Sequence, residues 1–98
     1  MLTGGSRVQG AVPDGALITP AQSRMARAAL DWPIAAAARA AGISSRTLLR
    51  FENEQRDIKP ELIAAARRVY EEAGVRFLDG GPDAGAVVPP PLKVPPPR

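Results

Sequence analysis

Residues Ile34 to Asn53 read IAAAARAAGISSRTLLRFEN, and the fold of the chain turns on the spacing within them. Ala38 stands four residues before Gly42, Ile43 follows that glycine, and Leu48 and Phe51 come next at helical separation. Each place has a steric reason. A helix crossing another at a steep angle needs a small residue beneath it, which Ala38 supplies. Gly42 can take the positive φ of a tight turn, and Ile43 fills the gap between the two helices. Leu48 and Phe51 anchor the later helix to a core. The stretch therefore predicts two short helices joined by a glycine turn, the later one capped by Ser44 and ending near Asn53.

The face opposite Leu48 and Phe51 is left for a partner. It carries Ser45, Arg46, Leu49, Arg50 and Asn53, with Ser44 and Thr47 near the helix start and Arg56 just past its end. Arg forms bidentate pairs with guanine and Asn with adenine. Ser and Thr bond phosphates or base edges, and an exposed Leu meets a thymine methyl. In an arbitrary small protein Arg46 and Arg50 would read as solvated charges; the surrounding motif favours a contact role for them, and the chemistry of the face suits a groove of double-stranded DNA.

Outward from this pair, Thr19 followed by Pro20 signals the start of a first helix running to about Leu30. Ile18, Gln22 or Met25, Ala29 and Leu30 fall on one of its faces, while Arg24 and Arg27 project from another. Asp31-Trp32-Pro33 interrupts the pattern, since the residue before proline avoids the helical region, and Pro33 is expected to open the second helix. Pro60 opens a fourth helix, in which Leu62, Ile63, Ala66, Val69 and Tyr70 recur at helical spacing and which Gly74 closes. Trp32 and Tyr70 read as packing residues. Arg39, Arg67 and Arg68 read as exposed helix charges, the last two within reach of Glu71 and Glu72.

Val75-Arg76-Phe77-Leu78 alternates like a short strand, and Asp79-Gly80-Gly81 is turn chemistry. A return strand over residues 86–88 has only a weak signal. From Pro89 onward PPPLKVPPPR favours polyproline II and is expected to be disordered. Before the first helix, residues 1–17 hold Gly4, Gly5, Gly10 and Gly15 and read as a flexible leader. With Arg7 as its one basic residue, that leader lacks the basic run of a minor-groove arm. The division expected is a leader over 1–17, a folded domain over 18–78, and a return strand with a Pro-rich tail over 79–98.

Composition narrows the function classes. With no Cys and no His among 98 residues, there is no disulfide, no thiolate or imidazole metal ligand and no histidine general base. Glu52 and Glu54 are two apart and face different sides of a helix, so no carboxylate pair is formed there. No enzyme, cofactor or metal is expected. The formal charge of +3 agrees with a polyanionic partner. No apolar run is long enough for a signal peptide or a membrane span, which makes the cytoplasm, and the nucleoid within it, the expected location.

Taken together, residues 18 to 78 resemble the Cro/repressor-like, Xre-type helix-turn-helix family. Beyond the twenty-residue stretch the likeness includes Thr19-Pro20-Ala21-Gln22, Arg27 six residues before Pro33, Trp32, Ala38 through Ser44, Phe51-Glu52 and Gly74-Val75-Arg76-Phe77. The resemblance implies an all-α, lambda-repressor-like bundle of four or five helices with a short C-terminal strand or hairpin. It implies that the third helix reads DNA through Ser44, Ser45, Arg46, Leu49 and Arg50, and that Arg27 braces Glu52. Family members often begin the second helix with Ser then Gln; here Pro33 and Ile34 stand there, leaving backbone amides as the phosphate donors of that helix end.

Two function classes follow. The first is a transcriptional regulator, repressor or activator, binding DNA as a homodimer. The second is an antitoxin-like interaction component that also seizes a protein partner through the strand near Val75 or the tail.

Overall fold

The computed structural model describes residues 14–97. Residues 1–13 of the expected leader, Arg7 among them, and Arg98 of the tail lie outside the described residues. A single 3-10 turn at Asp14–Ala16 precedes four helices: α1 (Pro20–Leu30), α2 (Ile34–Ala41), α3 (Ser45–Glu52) and α4 (Pro60–Glu72). Two short strands follow, β1 (Arg76–Phe77) and β2 (Val87–Val88), paired antiparallel with Arg76 opposite Val88 and Phe77 opposite Val87. The expected mostly helical domain with a C-terminal hairpin is thus present. The hairpin's return strand, whose sequence signal was weak, is formed.

The helix ends obey local rules. Thr19 and Gln22 make a reciprocal capping box: the Gln22 N–H donates to Thr19 Oγ1 at 3.1 Å, and the Thr19 N–H donates to Gln22 Oε1 at 2.8 Å. α1 closes on Asp31 in the left-handed region, at φ 58°. Pro33 is the N-cap of α2 rather than its first residue. Its extended backbone lets its carbonyl accept from Ala36 and Ala37, at 3.0 and 3.1 Å. Gly42 ends α2 at φ 74°, and Ser44 caps α3.

The core lies where α2 packs on α3 and α4 and where α1 closes over them. Ala37 and Ala38 permit that close approach, and both are buried with Leu30, Trp32, Leu48, Phe51, Ala66 and Tyr70. The inner face of α1 holds Ile18, Gln22 and Leu30 as expected, but it is extended on one side. Met25 is exposed, and Ser23 and Ala26 are buried in its place with Gln22 and Leu30. The reason is tertiary: the face is extended by a buried carboxylate on α3 that requires a hydroxyl from α1.

That carboxylate is Glu52, which is 3% exposed. Arg27 meets it with two parallel bonds, Nε to Oε2 at 2.8 Å and Nη2 to Oε1 at 2.6 Å. The Ser23 hydroxyl donates to Oε2 at 2.7 Å, and the Tyr70 hydroxyl lies 2.9 Å from Ser23 Oγ. Since the carboxylate only accepts, the proton order runs Tyr70 to Ser23 to Glu52. The brace implied by the family likeness is therefore formed, within a larger network joining α1, α3 and α4.

Arg67 departs from its expected role as an exposed helix charge. It is buried, donating to Glu71 Oε2 and Asp79 Oδ2, both at 3.0 Å, and to the Leu17 carbonyl, also at 3.0 Å. Its guanidinium stands 5.1 Å from the centre of the Phe77 ring. These bonds hold the guanidinium above its ordinary pKa and the Asp79 carboxyl below its own.

The Pro-rich segment, expected to be disordered, lies along the bundle instead. The Trp32 indole Nε1–H donates to the Val94 carbonyl at 2.7 Å, Lys93 pairs with Asp31, and Pro90 covers Gly74. Proline removes amide donors but leaves carbonyl acceptors, and a buried indole N–H needs one.

Replacing Arg27 by Ala leaves the Glu52 carboxylate buried with one hydroxyl donor. A loss of about 3 kcal/mol is expected, read as a fall in thermal or denaturant midpoint. Alkaline pH should act through Tyr70, whose phenol burial pushes up to about 12 from an ordinary 10.0. The folded state favours the neutral phenol, so this contribution is whole below about pH 10 and is lost as pH rises toward about 12. It amounts to about 2–3 kcal/mol. Melting temperatures followed across that window should decline less steeply in Tyr70→Phe than in the parent.

Candidate nucleic-acid interface

α3 is held from two sides of its circumference. Leu48 and Phe51 enter the apolar core, and Glu52 enters the polar network beside them. A further contact holds its C-terminal end, where Arg24 donates through Nη1 to the Glu52 carbonyl. With that much of the surface claimed, Ser44, Ser45, Arg46, Leu49 and Asn53 are exposed. Leu49 is 49% exposed on this face.

The N-terminal turn of α3 is organised by two hydroxyls. Ser44 Oγ accepts the Thr47 N–H at 3.0 Å and donates to Thr47 Oγ1 at 2.8 Å. The Thr47 hydroxyl proton is thereby left to donate outward, although the side chain is half-buried and borders a small apolar cleft with Ile43, Ile58 and Leu62. The uncapped amides of the first turn of α3 add donors aimed along the helix axis.

The basic residues of the interface are not equivalent. Arg46 is exposed and has no carboxylate partner among the described residues. Arg50 is half-buried and pairs with Asp57, in the connection between α3 and α4. Arg56 is exposed in the same connection, two residues after Glu54, which lies 4.0 Å from Arg24. Asn53 is the C-cap of α3, with its backbone N–H bonded to the Leu49 carbonyl at 2.9 Å. Seven of the eight expected residues thus lie on α3 or its caps, while Arg56 lies on the adjoining loop.

The Arg50–Asp57 pair had no sequence signal, because seven residues separate the partners across a helix end. It holds the Arg50 guanidinium sideways in the free protein. An exposed pair of this kind contributes little to stability, so a phosphate or a base edge can compete for the guanidinium. Glu52 and Glu54 point apart, as their spacing predicts, one buried and one exposed. No group of three or more acidic residues is placed to hold a metal among the described residues, and no described helix is long and apolar enough to cross a membrane.

No protein-family model, no curated protein and no solved structure matches this chain.

Ser44→Ala should cost about 1 kcal/mol of stability by removing the cap of α3. Ser45→Ala, on the open face, should stay within about 0.5 kcal/mol of the parent. Thermal melts of the two variants side by side separate the capping role from the contact role.

Proposed function

We propose that this protein is a sequence-specific binder of double-stranded DNA, a transcriptional regulator of the Cro/repressor-like helix-turn-helix kind that lays α3 in the major groove. The observation that carries the reading is the division of α3 into a locked face and an open one. Leu48, Phe51 and Glu52 are buried, while Ser45, Arg46, Leu49 and Asn53 are exposed and carry the groups that read base edges. An α-helix with its side chains is about 10–12 Å across, which fits a major groove about 12 Å wide. The preceding helix meets it through Gly42 and Ile43, so the pair is presented as one rigid unit.

In this reading Arg46 is the principal base reader, and Arg50 is released from Asp57 on binding. Thr47 and Arg56 position the backbone phosphates, and Ser44 orients the Thr47 hydroxyl for that contact. The protein acts as a homodimer on two half-sites, because one unit of this size contacts too few base pairs for useful affinity. Regulation takes place in the cytoplasm, at the nucleoid. The antitoxin-like alternative is less well supported, since the strand that would seize a protein partner is already paired within the chain, β1 with β2.

Selection from a random duplex pool tests the proposal directly. A palindromic consensus with guanine in each half-site is expected, and failure of any sequence to enrich would sink it. On the selected site, Arg46→Ala should cost roughly 1–3 kcal/mol and relax preference at one base position, with an unchanged melting temperature. If Arg46 meets only phosphate, binding weakens evenly on all sequences and the salt slope falls by about one unit. Affinities on cognate and scrambled duplexes at several salt concentrations distinguish these outcomes.

A further inference from the structure

Away from α3, the corner between α1 and α2 and the last turn of α4 form a groove. Its wall is Trp32, Val69, Ala73 and the stem of Glu72, and its occupant is the chain's own Val94, Pro95 and Pro97. The Trp32 indole N–H bonds to the Val94 backbone carbonyl, and at the rim Asp31 pairs with Lys93. These are the components by which aromatic grooves bind polyproline II: an indole donor to a backbone carbonyl, an apolar wall for proline rings, and an acidic rim for a basic residue. The segment KVPPPR supplies the complementary parts in order.

The occupant is seated loosely. A cleft of about 230 Å³, open to solvent, is lined jointly by the segment and the groove wall. Leu92 is 80% exposed at the bend that turns the segment back toward the bundle, and Val94 is 40% exposed. The Lys93–Asp31 pair is open to water on both sides, which makes the Trp32 bond the one sheltered polar contact of the segment among the described residues. Trp32 itself is 3% exposed and packs on Tyr70, with ring centres 6.4 Å apart. The groove is thus part of the core, whereas its occupant is an extended segment laid upon it.

We propose that this groove is a polyproline-II docking site whose ligand is the Lys93–Pro97 segment, held exchangeably, so that the same segment from a second copy of the chain takes the seat when the chain's own leaves it. Beyond the bend at Pro91 and Leu92, the run Pro95–Pro97 favours the extended form of the segment. A second copy carries an identical ligand with the same complementary charge.

Trp32 is the single tryptophan of the chain, so its one indole N–H signal in nuclear magnetic resonance reads the groove. The test uses the full chain and a full-length variant with Lys93→Glu, Pro95→Ala, Pro96→Ala and Pro97→Ala. The probe is a peptide of sequence PPPLKVPPPR, which stands for the second copy's segment. In the variant the indole proton should exchange with water about tenfold faster than in the parent, with helix content unchanged by circular dichroism. Added peptide should then restore protection saturably at one peptide per chain, while a peptide bearing the same four substitutions should not. In the parent the tethered segment competes at an effective concentration of about a millimolar or more, so the peptide should act only above that range. Three results each overturn the proposal: an indole that stays protected in the variant, an exposed indole that the parent peptide does not protect, or a variant that loses its helices, which would make the segment part of the fold.

Discussion

Glu52 sits at the inner end of α3 with its carboxylate out of water, and the surrounding helices are arranged to meet it. Burying an unpaired carboxylate is costly enough that any packing which failed to supply donors would be disfavoured. Arg27 supplies two N–H groups in one plane and Ser23 a hydroxyl, while Tyr70 from α4 completes the chain through Ser23. Apolar contacts alone would hold α3 against the core without fixing its rotation, since burial is non-directional. The bidentate arginine bond is directional, and so it selects one rotation of α3 among those Leu48 and Phe51 would tolerate.

The outward face of α3 is what that rotation leaves. Arg46, Leu49 and Asn53 are exposed because the opposite side is claimed twice, by the core and by the polar network. A rigid support also matters for reading DNA, because base-edge recognition depends on side chains projecting from a backbone that does not shift. The Arg50–Asp57 pair adds a refinement, giving one of the two outward arginines of α3 a resting place in the free protein.

Two further contacts extend the same logic beyond the helices. Arg67 converts three separate pieces, the residues before α1, the last turns of α4 and the turn after β1, into one unit by donating to Leu17, Glu71 and Asp79. Trp32 does so for the Pro-rich segment with a single indole bond. In each case a buried donor that must be satisfied recruits an acceptor from a distant part of the chain. The two differ in number: Arg67 bonds to three partners, while the Pro-rich segment has one bond from a buried donor, Trp32, and one exposed ion pair.

How much of this was legible in the sequence follows from the range of the forces involved. Thr19 with Gln22, Gly42, Ser44, Pro60 and Gly74 act within a few residues of themselves, so the helix boundaries and the glycine turn could be read directly from the chain. The apolar spacing of Leu48 and Phe51 likewise divided α3 into an inner and an outer face before any coordinates. That the inner face of α1 extends to Ser23 was decided only by tertiary structure, because Ser23 is buried for the sake of a carboxylate 29 residues away. The same holds for the burial of Arg67 and its bond to Asp79, and for the pairing of Arg50 with Asp57, because those partners lie beyond the helical spacing that ties Arg67 to Glu71. It holds also for the tail, where proline forbids helix and ladder locally, and only the unmet N–H of Trp32, 62 residues distant, supplies a reason for the segment to lie where it does.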